Sequence, residues 1–373
     1  MQTIQFVDLH TQYQKIKPEV DAAIEKVIND SAFIGGKYVN EFEIALKTYL
    51  GADHVIPCGN GTDALQLALM ALDLKHGDEV IVPGFCFVAP AEAVALLNLT
   101  PVFADVDFDT FNISAETIAS LITEKTKAII VVHLFGQPAN MKDIIGLAKK
   151  HDLKIIEDVA QALGARVNVN GTCLQAGLAG DIGCTSFFPS KNLACFGDGG
   201  AVFSNDDELA KKVRMMANHG QQKKYTHELI GVNSRLDGIQ AAILTVKLKQ
   251  LGIYLLTRRR VAAFYNERLD KINWLQIPLE TEYEAHSYNQ YTIILDPSIH
   301  RAHLVAYLKE KGIPTMVYYP GTLPEQQAYQ VFSKESLRNS KELSKRVLSL
   351  PMHTELEPDQ QQFICNALIN YKL

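Results

Sequence analysis

Thr185-Ser186-Phe187-Phe188-Pro189-Ser190-Lys191, followed closely by Gly197-Asp198-Gly199-Gly200, places one lysine in an apolar, serine-flanked run that ends at a glycine-rich turn. A lysine so placed has two readings. It is a solvated side chain on a turn after a buried strand, or it is an amine that loses its proton and forms a Schiff base with a carbonyl, foremost the aldehyde of pyridoxal phosphate. The rest of the chain has to decide between them.

Outward from this run lie apolar strand candidates at Glu79–Val82, Pro101–Ala104, Ala128–His133 and Lys154–Ile156, preceded by Val55–Cys58. Helical segments at Thr62–Leu72, Ala91–Leu97 and Met141–Lys150 separate some of them, with amphipathic helices at Pro18–Ile28 and Val39–Leu50 upstream. Apolar runs alternating with helix-length segments predict an α/β fold with a mostly parallel sheet covered on both faces. Gly183–Phe187 and Ala201–Ser204 extend that sheet. Beyond Gly238 the texture changes: a long connecting helix over Ile239–Leu269, whose Arg258-Arg259-Arg260 reads as a solvated face, then a strand at Tyr288–Leu295 and helices at Arg301–Lys311 and Asp359–Ile369. The expected division is a large unit over 1–240 and a smaller C-terminal α/β unit over 241–373.

At 373 residues the chain is long enough for two such units. Its formal charge of −6 argues against a nucleic-acid surface. Cys58, Cys86, Cys173, Cys184, Cys195 and Cys365 show no metal-ligand spacing and read as mostly buried thiols of a reducing compartment, and the histidines lack metal spacing too. No secretory leader or membrane span is apparent, so the expectation is a cytoplasmic protein with no metal, no nucleic acid and no membrane partner.

Asp158 closes the strand Lys154–Ile156, at the end of a parallel strand where ligand crevices form. A carboxylate there either caps the next helix or pairs with a protonated pyridine nitrogen. Gly59-Asn60-Gly61-Thr62-Asp63 lies between a strand and a helix, where free N–H groups and the helix dipole attract phosphate. Phe87, just past a strand end, packs in the core or stacks on a planar ring. Asn233-Ser234-Arg235 precedes the connecting helix, and Arg235 either grips an anion or pairs with a nearby carboxylate. His219 belongs to the polar, basic segment 218–235. No Gly-x-Gly-x-x-Gly follows a strand, which disfavours a dinucleotide oxidoreductase.

Together, Gly59–Leu65, Glu157-Asp158-Val159-Ala160-Gln161, Ser186–Lys191 and Gly231–Asp237 resemble the DegT/DnrJ/EryC1/StrS family of nucleotide-sugar aminotransferases, over a span from Phe6-Val7-Asp8-Leu9 to Ser349-Leu350-Pro351-Met352-His353. The resemblance implies the aspartate-aminotransferase-like fold (type I of the pyridoxal phosphate enzymes) and a homodimer with active sites shared at its interface. It implies Lys191 as the Schiff-base lysine, Asp158 at the pyridine nitrogen and Gln161 near the ring's phenolic oxygen. Gly61, Thr62 and Ser186 would hold the phosphate, Asn233 would come from the other subunit, and Phe87 would stack on the ring. Lysine rather than histidine at 191 favours transamination over sugar dehydration. L-Glutamate is the implied donor.

The runs around Lys191, His219 and Asn233 resemble the branch acting on 3-keto sugars. They imply UDP-2-acetamido-2-deoxy-3-oxo-D-glucuronate as substrate, in bacterial surface-polysaccharide synthesis, with Arg235 at the sugar carboxylate. A dTDP-linked 3-keto-6-deoxyhexose is the alternative, and a catalytically silent regulator the third reading. Tyr318-Tyr319-Pro320 stands where the family often has His-Tyr-Pro, and Phe85-Cys86-Phe87 and Ala89-Pro90 replace customary threonines. Tyr318 and Tyr319 are therefore expected to meet the sugar with hydroxyls and no charge.

Overall fold

The computed structural model describes residues 3–281, 285–332 and 337–372. Two helices, α1 (Leu9–Asn29) and α2 (Lys37–Leu50), precede a run of strand–helix units. These pair β1 (His54–Cys58) with α3 (Gly61–Ala71), β2 (Glu79–Pro83) with α4 (Ala89–Leu96), β3 (Thr100–Ala104) with α5 (Ala115–Ala119), and β4 (Thr126–Val132) with α6 (Met141–Lys150). β5 (Lys154–Asp158) leads into a hairpin of β6 (Arg166–Val169) and β7 (Thr172–Gln175). β8 (Ile182–Ser186), β9 (Gly200–Ser204), α7 (Asp207–Met216) and a small hairpin of β10 (Gln221–Lys223) and β11 (Thr226–His227) follow. The C-terminal third holds α8 (Gly238–Leu248), α9 (Leu251–Leu269), β12 (Leu275–Gln276), β13 (Tyr291–Leu295), α10 (Arg301–Glu310), α11 (Arg338–Arg346), β14 (Val347–Leu350) and α12 (Pro358–Ile369).

The main sheet runs β1-β9-β8-β5-β4-β2-β3. β3, β2, β4, β5 and β8 are parallel neighbours, and β9 is antiparallel to both β8 and β1. The sheet is therefore mostly parallel, in an α/β fold, as the sequence pattern implies. Helices cover both faces, so central strands have no polar side to show: Val80, Ile81 and Val82 are all fully buried. Register brings three strand ends to one edge, because Ser186 pairs with Gly200 and Gly200 with Cys58. The start of α3, the loop between β8 and β9, and Asp158 at the end of β5 consequently face one crevice.

A second core forms around the antiparallel β12-β13-β14 sheet, with Tyr265, Tyr291, Leu348, Leu350, Ile364 and the N-terminal Ile4. The expected continuous helix over Ile239–Leu269 is instead two helices, α8 and α9, bent by 60°. Both halves contribute to the main core, through Leu244 and Leu248 of α8 and Leu251 and Leu255 of α9, but their other faces pack on different partners. Ala242 and Ile243 of α8 pack on α1 and α2, whereas Val261, Ala262, Tyr265 and Leu269 of α9 enter the second core. One straight rod cannot reach both.

Arg258 also departs from the expected solvated face. It is buried, and its Nη1 donates to the carbonyls of Tyr288, Asn289 and Met352 at 3.1, 3.2 and 3.1 Å. The expected strand from Tyr288 starts only at Tyr291, because Tyr288 has φ 47° and stacks on His286 at 3.8 Å. Five cysteine thiols are buried and Cys173 is exposed, all unpaired. No single helix among the described residues is long and apolar enough to cross a membrane; α8 and α9 pass only together, as the bent pair.

Candidate active site

Asp158 and Lys191 lie near each other at the strand-end edge, close enough for each charge to act on the other. Asp158 is buried; burial pushes its carboxyl above the usual range, against a 2.9 Å bond from the Ala160 N–H and the nearby Lys191 charge. Lys191 is half-buried, and desolvation lowers its amine below the ordinary lysine value while Asp158 opposes that shift. A depressed lysine amine is more often unprotonated at neutral pH, as a nucleophile must be. Its loop is closed by backbone bonds from Phe187 N–H to Gly199 (2.8 Å) and from Cys195 N–H to Phe187 (2.9 Å). Phe187, fully buried edge-on against Phe42 with ring centroids 5.4 Å apart, anchors that loop to α2.

The turn before α3 packs directly against the end of β8. Asn60 caps the helix by accepting the Asp63 N–H at 2.8 Å, while the N–H groups of Gly61 and Thr62, in the first turn, have no carbonyl of their own helix to bond. A Cβ at Gly61 would lie 2.7 Å from Ser186 Cβ, so only glycine lets the helix start and the end of β8 come this close. Ser234 locks the turn from outside: its hydroxyl donates to Asp63 at 2.6 Å and accepts from Gly59 N–H at 3.0 Å.

Gln161 is buried, with Oε1 accepting the Phe135 N–H at 2.7 Å and Nε2 donating to the Tyr319 hydroxyl at 3.1 Å. Tyr319 packs against Phe85 and Phe87, with centroids 6.0 and 6.4 Å away, and desolvation holds its phenol far above the usual value. Phe87 itself is 56% exposed, so it presents a ring face rather than filling the core. Tyr318 leans on Phe6 instead, at 6.2 Å.

Thus Asp158, Gln161, Ser186, Lys191, Gly61, Thr62, Phe87 and Tyr319 gather around one crevice. His219, Asn233 and Arg235 stand apart on an exposed segment. Its backbone is tied to the end of α7: Val232 N–H donates to Met216 at 2.7 Å and Ser234 N–H to Ala217 at 3.0 Å, while His219 N–H donates to Val232 at 2.9 Å.

From sequence, Glu157 reads only as a helix cap or an ordinary ion-pair partner, and its support behind Asp158 is not foreseen. Glu157, on the opposite face of β5, is fully buried and accepts from His133 Nε2 (2.9 Å) and from the N–H groups of Gly177, Ala179 and Gly180 (2.9, 2.7 and 2.6 Å). Burial works to raise its carboxyl, but these donors outweigh it and hold the group below the usual range. His133 Nδ1 accepts the Ala139 N–H at 2.9 Å, so the proton sits on Nε2. The spacing Gly177–Gly180–Gly183 was the available signal, since a Cβ at Gly180 or Gly183 would collide with Ile155 or with Gly177 and Phe203.

Residues 14–369 match the DegT/DnrJ/EryC1/StrS aminotransferase family. The chain belongs to it. It is 43% identical to the UDP-2-acetamido-2-deoxy-3-oxo-D-glucuronate aminotransferase of Pseudomonas aeruginosa, over 98% of this chain and 100% of that protein. It is equally 43% identical to a "Pleiotropic regulatory protein" of Geobacillus stearothermophilus, over 99% of this chain and 98% of the other. Among solved structures, a DegT/DnrJ/EryC1/StrS aminotransferase from Brucella abortus superposes with a TM-score of 0.92 at 41% identity, covering 98% of both chains. The DesV enzyme of S. venezuelae gives 0.94 at 36% identity, covering 99% of this chain and 98% of its own.

The protein is a pyridoxal phosphate-dependent aminotransferase. The residues present fit that cofactor: a desolvated amine, a buried carboxylate across from it, and a glycine cradle that a Cβ would fill. Among the described residues no group of three or more His, Cys, Asp or Glu side chains could hold a metal ion.

Proposed function

We propose that this aminotransferase moves the amino group of L-glutamate to the 3-keto group of a UDP-linked sugar, UDP-2-acetamido-2-deoxy-3-oxo-D-glucuronate, in the cytoplasmic synthesis of bacterial surface polysaccharide such as lipopolysaccharide O-antigen. The observation that carries transamination is the Lys191 amine beside buried Asp158 at one strand-end edge. When bound, pyridoxal phosphate supplies an electron sink for charge developing at the reacting carbon. In this reading Asp158 keeps the pyridine nitrogen protonated, and Gly61, Thr62 and Ser186 bind the phosphate. Phe87 covers the ring and Gln161 faces its phenolic oxygen. Lys191 Nζ takes a proton from the amino donor's α-carbon and, in the second half, gives one to the sugar's C3.

The sugar assignment is supported by the grading of relatives. Two named for UDP-linked 3-oxo or 3-dehydro sugars are each 43% identical, against 38% and 35% for two dTDP-3-amino-sugar transaminases. Exposure of Asn233, Arg235 and His219 in the single chain suits a homodimer in which they complete the partner's site. Arg235 would then grip the sugar carboxylate in bidentate fashion, with Tyr318 and Tyr319 along the ring.

The test is amination of the acidic and the neutral UDP-3-keto sugars and of a dTDP-3-keto-6-deoxyhexose, each generated in place by its preceding enzyme. Preference for the acidic UDP sugar, lost selectively in Arg235→Ala, is expected. Preference for the dTDP sugar would replace this reading with the alternative, and no turnover of any keto sugar with bound cofactor would favour a regulatory role like that named for the Geobacillus relative.

A further inference from the structure

Between β4 and α6 the chain makes a tight turn, Leu134–Gly136, in which Phe135 is held at φ 59°, ψ 0°. A bulky residue adopts that left-handed conformation only where its surroundings impose it. Two buried side chains do so here. Asn112, 2% exposed, spans the turn: its Oδ1 accepts from Leu134 N–H at 3.0 Å and its Nδ2 donates to the Gln137 carbonyl at 2.9 Å. His133, braced by Glu157, takes the Ala139 N–H at the turn's far end.

What the turn delivers is the Phe135 N–H, which reaches Gln161 Oε1 at 2.7 Å. With its oxygen engaged, the Gln161 amide directs Nε2 to the Tyr319 side of the crevice. The two ends of an amide have opposite hydrogen-bonding polarity, so a flip would replace a donor with an acceptor at the same place.

We propose that Asn112 is a positioning residue for transamination: by clamping the 134–137 turn it holds the Phe135 N–H on Gln161 and fixes the Gln161 amide as a donor toward the cofactor's phenolic oxygen. This rests on the reading of Gln161 given above. A phenolic oxygen bearing negative charge is stabilised by an N–H and repelled by a carbonyl, so loss of the clamp acts on the cofactor although Asn112 binds only the turn.

The test compares Asn112→Ala, Gln161→Ala and Phe111→Leu in the cofactor-loaded protein. Phe111 packs edge-on against Phe135 with centroids 5.1 Å apart, so shortening it removes core packing beside the turn while the Asn112 and Gln161 hydrogen bonds that hold the turn stay in place. Readouts are the absorption maximum of bound pyridoxal phosphate, its dissociation constant, and Tm. Asn112→Ala is expected to shift the absorption maximum in the same direction as Gln161→Ala and to weaken cofactor binding about two- to tenfold, the worth of one hydrogen bond. Phe111→Leu lowers Tm and leaves the band in place. If Gln161→Ala shifts the band while Asn112→Ala only lowers Tm, the proposal is wrong and the Gln161 assignment survives. An unmoved band in Gln161→Ala overturns both. Should Asn112→Ala not fold, Asn112→Asp serves in its place, because it keeps an acceptor for Leu134 N–H and sets a carboxylate oxygen against the Gln137 carbonyl.

Discussion

Ser186 occupies the space that a side chain on Gly61 would need: a Cβ at position 61 would lie 2.7 Å from the Ser186 Cβ. Two elements more than a hundred residues apart in sequence therefore form one cradle. Gly61→Ala must push them apart, and overpacking of this kind costs about 1–3 kcal/mol. Pyridoxal phosphate titration is expected to show at least tenfold weaker binding. Adding Ser186→Gly should relieve the overpacking and recover stability but not full affinity, because it also removes the Ser186 hydroxyl; an unchanged affinity in the single variant would mean the phosphate is held elsewhere.

In the proposed mechanism Lys191 moves the proton and Asp158 supplies a fixed charge. Lys191→Ala should abolish the Schiff-base absorption band and lower the rate by on the order of 10³-fold, within the range that positioned proton transfer supplies. Asp158→Asn keeps the size of the side chain and removes its charge, so it should retain bound cofactor yet lose most turnover. Stopped-flow half-reactions with glutamate distinguish the two effects.

Acid sensitivity should begin well above the carboxylate range. Burial, with Arg259 nearby, depresses His286 to about 3, and burial, with Arg258 nearby, depresses His353 to about 4, from 6.5 when unfolded. Below pH 6.5 the unfolded chain binds protons that the folded one refuses, so stability rises with pH through this window and is lost as pH falls. Urea unfolding at pH 7.5, 6.0 and 5.0 should show a falling transition midpoint. His286→Gln should flatten that slope, and an unaltered slope would assign the protons to other groups.

Glu157 is a fully buried carboxylate that accepts from four donors. Glu157→Ala leaves them without their acceptor and is expected to cost about 3 kcal/mol or more in urea melts, since each buried donor left unsatisfied costs about 1–3 kcal/mol. Because its folded value lies below the unfolded 4.5, its own stabilisation is complete above that pH and fades as pH falls further. A loss under about 1 kcal/mol would show that the 177–180 loop rearranges to satisfy itself.

Much of this was legible in the chain. Apolar runs such as Val80-Ile81-Val82 report strands because central parallel strands expose neither face. Asp158, Lys191 and the Gly59–Asp63 turn stand out as candidates by residue type and by their places near strand ends. By contrast, α7 and the β13–β14 pairing escaped sequence reading. The break between α8 and α9 was hidden too, because both halves are apolar and hydrophobic spacing cannot say that some of their faces pack on different partners.

The sequence by itself determined the mostly parallel sheet and the aminotransferase family, since the first rests on local periodicity and the second on recognisable runs of residues. Tertiary structure alone decided which groups meet. It set Ser186 against Gly61, wrapped the 177–180 loop around Glu157, buried Arg258 among three carbonyls, and brought Asn112 to the turn that orients Gln161. The reason is that these contacts join residues far apart along the chain. Their partners are fixed by sheet register and close packing, and no local pattern encodes either.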